Sequence, residues 1–259
     1  MNRHLKTFGQ KGFTLVELAI VITIIGILIG GVLKGQQLIK SAETAALISQ
    51  VNDYKTAHAI FKSTYREYPG DMIDPDSRIV GCNGCVADGT EPLGDGYVGN
   101  REPSIAQTDK GLEPVRYWLH MMKANMITGV TDAALTSAPL AWGETHPAIK
   151  MGGGFHAKSG TGGCGHGSYT NIWAGGCYPV GLTLVMQKTL DSRLRRSGWL
   201  LTPLQAATID RRLDDGKAAT GWVRAAGGSL CQGGGPNADS YDESGSSDAA
   251  CNLGFVIDD

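Results

Sequence analysis

A chain of 259 residues is long enough for one substantial domain with an attached segment. Its 42% hydrophobic content excludes disorder throughout, and 37 glycines with few aromatics point to a part rich in turns and loops instead of a helical bundle. The net charge of −2 hides an asymmetry, because Arg3, Lys6 and Lys11 stand in an acid-free start and leave 20 basic against 25 acidic residues beyond it; no basic stripe remains there to suggest nucleic acid as a partner.

From Phe13 to Leu33 every residue is apolar or small except Thr14, Glu17 and Thr23. As a helix this stretch spans about 31 Å at ~1.5 Å per residue, matching a hydrocarbon core of roughly 30 Å. The basic residues before it place the N-terminus in the cytoplasm and the remainder outside. A secretory signal would have a shorter apolar region followed by a small-residue cleavage site. Here the small residue, Gly12, precedes the apolar run, so cleavage after it would remove a basic leader (1–12) and keep the helix. Glu17 is the anomaly. A carboxylate near the bilayer centre costs on the order of 2.5–3.5 kcal/mol and usually has a partner. Cleavage would create an α-amine on Phe13, one helical turn away, and in an assembly that amine and a neighbour's carboxylate would neutralise each other. The alternative is that Glu17 sits at the interface and reaches water.

The run Lys11-Gly12-Phe13-Thr14-Leu15-Val16-Glu17-Leu18 resembles the processing motif of type IV prepilins and of the pseudopilins of type II secretion. The resemblance covers about fifty residues. It implies cleavage after Gly12 by a prepilin peptidase, N-methylation of Phe13, and Glu17 as the assembly residue. It also implies an inner-membrane precursor that engages an assembly platform and joins other subunits in a periplasmic or surface filament. Pilins often carry a proline within this helix. Here Gly26, Gly30, Gly31 and Gly35 interrupt it instead, either to let it stretch or to let neighbours pack closely.

Leu47, Val51, Tyr54, His58, Phe61 and Tyr65 recur at three- and four-residue intervals, so the helix continues through 34–67 with a narrow apolar seam packed on the head. His58 reads as a seam residue, and Lys40, Glu43, Asp53, Lys55 and Lys62 as the solvent face. Pro69-Gly70 ends the helix. The head, 68–259, begins with a long loop from Asp71 to Lys110 pinned by Cys82 and Cys85. That pair could be half a zinc site or a redox pair, but a second half is missing and Gly81, Asn83 and Gly84 do not support the helix a redox pair opens, so a structural disulfide or two free thiols is expected. A helix is expected over 112–127, with Pro114 near its start and Val115, Leu119, Met122 and Met126 on one face.

Short alternating runs, Tyr169–Trp173 and Val180–Val185, are expected as strands of an antiparallel sheet. His156, Cys164, His166 and Cys177 could suggest a metal, but their irregular spacing favours a disulfide-tied hairpin, and no metal site is assigned. Thr202-Pro203-Leu204-Gln205 starts a helix that runs to Asp214-Asp215 and ends at Gly216. Two acids at a helix C-terminus oppose its dipole and need another reason, either solvent exposure or a calcium site shared with the acidic tail. All six cysteines lie beyond the apolar segment, and their grouping favours Cys82–Cys85, Cys164–Cys177 and Cys231–Cys251 as disulfides.

The expected fold is α+β: a long N-terminal helix, transmembrane in its first half, packed on a head with an antiparallel sheet, short helices and disulfide-tied loops. The expected function is a structural filament subunit, pilin or pseudopilin, of minor or specialised type; the alternative is a membrane-anchored binding module or adhesin that never polymerises. No catalytic constellation stands out, so an enzyme is not expected.

Overall fold

The computed structural model describes residues 14–87, 92–99, 112–135, 139–161, 173, 178–190, 198–227, 230–233, 239–245 and 248–258. The chain forms two compact units that divide between Ala45 and Ala46. One helix, α1 (Leu15–Tyr65), supplies residues to both. In the first unit its apolar side chains are exposed, from Leu15 at 87% to Ile39 at 60%, which is the surface of a helix that needs lipid or like helices around it.

In the second unit the expected seam is present. Leu47, Val51, Tyr54, His58 and Phe61 are buried, while Tyr65 is only half-buried. The helix stops at Tyr65, before Pro69, because Arg66 turns into the left-handed region at φ 63°. Two expected solvent residues are instead half-engaged: Lys55 lies over the Trp222 ring, 4.3 Å from its centre, and Lys62 over Tyr68. Gly70 then allows a close approach no other residue could make. Its φ is +89°, and a Cβ there would stand 2.4 Å from the Glu113 carbonyl oxygen.

The loop after Gly70 contains one short helix, α2 (Pro75–Arg78), and the expected helix after Leu112 is shorter than its pattern suggests: α3 spans Glu113–Lys123. Asn125, at φ 56°, ends it. Residues 113–121 of α3 are all buried, so Tyr117 and Trp118 are core alongside Val115 and Leu119, while Met122 and Met126 lie at the margin. A 3-10 turn, Asp132–Leu135, follows.

The sheet has four antiparallel strands, β1 (Gly154–Thr161), β2 (Val180–Gln187), β3 (Val223–Ala226) and β4 (Asn252–Asp258), in the order β1-β2-β4-β3. Its register puts Phe155, Ala157, Leu184, Met186, Leu253, Phe255, Val223 and Ala225 on one face. That face meets α1 and α3: the Tyr54 ring stands edge-on to Trp118 at 5.2 Å and to Phe155 at 5.8 Å. The other face carries His156, Lys158, Thr183, Val185, Gln187 and Gly254. It is also buried, with Trp173 and Tyr178 packed on Val185 and Ala226. β1 is an edge strand, and Val98 protects it, exchanging bonds with Ser159 at 2.9 Å each. The expected strand at 169–172 lies outside the described residues, and Trp173 makes an isolated bridge to Ala226.

α4 (Pro203–Leu213) begins as its sequence dictates. Thr202 accepts from the Gln205 N–H and Gln205 returns the bond to the Thr202 N–H. It ends at Leu213, with Asp214 as the cap and Gly216 in the left-handed region beyond. Disulfides join Cys82 to Cys85 and Cys231 to Cys251. Cys164 and Cys177 lie outside the described residues.

Candidate processing and assembly site

Gly12 and Phe13 lie outside the described residues, which begin at Thr14. From there the start of α1 is built by reciprocal bonds. The Thr14 backbone N–H donates to Glu17 Oε2 at 2.8 Å, and the Glu17 N–H donates to Thr14 Oγ1 at 3.2 Å. This is a capping box, which satisfies two of the N–H groups every helix start leaves without partners. The Thr14 hydroxyl adds a third bond, donating to the same Oε2 at 2.8 Å. Neither of the expectations for Glu17 included this local partner.

Behind the cap, α1 is long and apolar enough to cross a membrane. A Cβ placed at Gly26, Gly30, Gly31 or Gly35 would meet nothing within 4 Å, so each glycine opens the helix surface to close approach. The helix is unbroken through all four positions.

The head offers several clusters of polar groups, and local structure accounts for most of them. Cys82 and Cys85 are buried and bonded to each other, so their sulfurs are not metal ligands in this state. Asp76 accepts from the Gly84 and Cys85 N–H groups and shapes the ring. His120 clamps it: Nδ1 accepts from the Gly70 N–H, leaving Nε2–H to donate to the Cys85 carbonyl, each at 2.9 Å. Burial lowers the His120 pKa to about 4. Asp71 caps the loop from its own side by accepting from the N–H groups of Gly94, Asp95 and Gly96, and burial raises its pKa to about 6.

The adjacent acids after α4 have a structural reason. Oxygens of Asp210, Asp214 and Asp215 lie within 4.8 Å of one another. Asp214 Oδ2 accepts from the Trp222 and Val223 N–H groups, and Asp215 accepts from the Lys217 N–H and the Thr220 hydroxyl. Asp210 accepts from Tyr241 at 2.7 Å and from the Gly216 N–H. Glu243, from the acidic tail, is held by the two terminal guanidinium nitrogens of Arg211. N–H and O–H donors thus account for the carboxylates of Asp210, Asp214 and Asp215, with no ion needed to explain their placement. The acids serve to fold the chain from α4 into β3.

His58, from the α1 seam, sits between the Tyr117 hydroxyl and Asp258 at the end of β4, 3.3 Å from each. Lys62 reaches the same Asp258 oxygen at 2.5 Å. Burial lowers the His58 pKa. Burial raises that of Asp258, but hydrogen bonds from Lys62, Tyr68 and His58 outweigh it and hold the carboxyl below its usual range. Sequence reasoning placed His58 in the seam but missed Asp258, which lies 200 residues away.

His156 stacks on His146, with ring centres 5.7 Å apart, while Cys164, His166 and Cys177 lie outside the described residues. His146 is fully buried, and that burial lowers its pKa to about 3. The unfolded chain takes up this proton near pH 6.5 and the folded chain does not, so His146 draws stability from the head as pH falls below 6.5. Comparing His146→Leu with the wild type isolates the effect from packing. Between pH 7 and pH 5 the wild type should lose roughly 2 kcal/mol relative to the variant in urea melts. A pH-independent difference would contradict a neutral buried imidazole.

Residues 7–33 match the family model of the prokaryotic N-terminal methylation motif. No curated protein and no solved structure matches the chain. The motif implies processing by a prepilin peptidase and assembly with other subunits, and so a structural protein. The stretch 7–33 is the signature of type IV pilins and pseudopilins, and it supports a pilin-like precursor.

Proposed function

We propose that this chain is a minor or specialised subunit of a type IV pilus or type II secretion filament. The observation that carries the reading is the coincidence of the methylation motif with a helix whose apolar surface is exposed along its first unit. In this reading the peptidase cleaves after Gly12 and removes the leader 1–12, and Phe13 becomes the methylated N-terminus. Residues 13–33 hold the precursor in the inner membrane, with the leader in the cytoplasm and the head (68–259) in the periplasm. Residues 34–67 continue the helix onto the head. Assembly transfers the 13–33 surface from lipid to a bundle of like helices, and Glu17 sets the register by pairing with the α-amine of a neighbour. The glycines at 26, 30, 31 and 35 let those helices approach.

Two measurements test this. Intact-mass analysis of filaments sheared from cells should give a chain that begins at Phe13 and carries one added methyl group. Glu17→Ala should be processed normally but leave sheared fractions without filaments containing the subunit. Normal filaments from that variant, or a mature chain that retains residues 1–12, would overturn the proposal.

A further inference from the structure

We infer that Thr14 is a positioning residue for assembly, holding the Glu17 carboxylate with one oxygen occupied and the other presented to the incoming amine. The inference rests on the assembly role proposed for Glu17. Both Thr14 bonds, from the backbone N–H and from the hydroxyl, end on Oε2 at 2.8 Å. No hydrogen bond among the described residues reaches Oε1. The hydroxyl has two jobs that fix its direction: it donates to Oε2 and accepts from the Glu17 N–H. A hydroxyl engaged in both senses cannot rotate without losing a bond, so it constrains the carboxylate as well as contacting it.

Two consequences follow for a subunit waiting in lipid. A carboxylate low in solvent would otherwise seek water or a proton, and two donors one turn away supply part of what water would give. The cap also decides which way the charge points. A glutamate without it samples several rotamers, and ordering that side chain then opposes each docking event. With the cap in place this loss is already taken in the folding of α1. The amine of the neighbour finds a fixed acceptor, Oε1, and docks without breaking the Thr14 bonds. Thr14 therefore acts through Glu17 and does not itself touch the partner.

The test compares three full-length variants in cells: Thr14→Val, which keeps the shape and removes the hydroxyl; Thr14→Ser, which keeps the hydroxyl; and Glu17→Ala. For each, intact mass reports cleavage, and immunoblots of sheared fractions report filament yield. The expected result is normal cleavage in all three. Thr14→Val should lower filament yield roughly tenfold, the scale of one hydrogen bond to a charged group, and Thr14→Ser should restore it. Wild-type yield from Thr14→Val beside failure of Glu17→Ala would overturn this inference and leave the role of Glu17 intact. Wild-type yield from Glu17→Ala would overturn both. Equal loss in the Val and Ser variants, or an uncleaved Val variant, would also overturn it, because the hydroxyl would then not be acting through the carboxylate at assembly.

Discussion

With Trp118 replaced by alanine, the head should lose about 3–5 kcal/mol of stability, a large part of the 5–15 kcal/mol typical of a domain. Trp118 is fully buried at the point where three elements meet. It comes from α3, its ring abuts Tyr54 of α1 at 5.2 Å, and Tyr54 in turn abuts Phe155 of β1. Tyr117 packs against it at 4.8 Å. Truncation would open a cavity between rigid neighbours that cannot all move inward. Trp118→Phe should be milder, since the indole N–H has no hydrogen-bond partner among the described residues and its removal leaves none of them newly unsatisfied. Urea melts of both variants check this. An alanine variant with the wild-type midpoint would mean that the junction carries little of the fold.

Serine at both Cys231 and Cys251 should remove about 2–5 kcal/mol. This bridge spans a sequence separation of 20, against 3 for Cys82–Cys85, so it restrains far more of the unfolded chain. It also anchors native contacts. Cys251 exchanges backbone bonds with Leu201 ahead of α4, and the Cys231 carbonyl accepts from the Asp242 N–H. The double-serine variant of Cys82 and Cys85 should lose less, because its ring is short and Asp76 and His120 hold the loop independently. Urea midpoints of the two double variants, measured side by side, decide the matter. Equal losses would show that chain restraint is not the source.

What was legible in the sequence was whatever is encoded locally. The apolar run, the seam from Leu47 to Phe61, and the Thr202-Pro203-Leu204-Gln205 start of α4 depend on residues three or four apart, and each appears in the structure. The Thr14–Glu17 box is equally local, a Thr with Glu three residues on before an apolar run, although a carboxylate in that run also answers to the demands of the membrane. β3 and β4 were missed for a different reason. Val223-Arg224-Ala225-Ala226 is short, and Asn252–Asp258 has both faces covered, so neither shows the alternation that marks a half-buried strand. The acids at Asp214 and Asp215 could not be explained from sequence, because their partners are backbone N–H groups placed by the turn into β3.

The order β1-β2-β4-β3 puts the last of the four described strands inside the sheet, between β2 and β3. β2 and β3 do not pair with each other, so each finds its inner partner only when β4 enters between them. Closure of the sheet is thus a long-range event, and freeing β4 would unpair both of its neighbours at once.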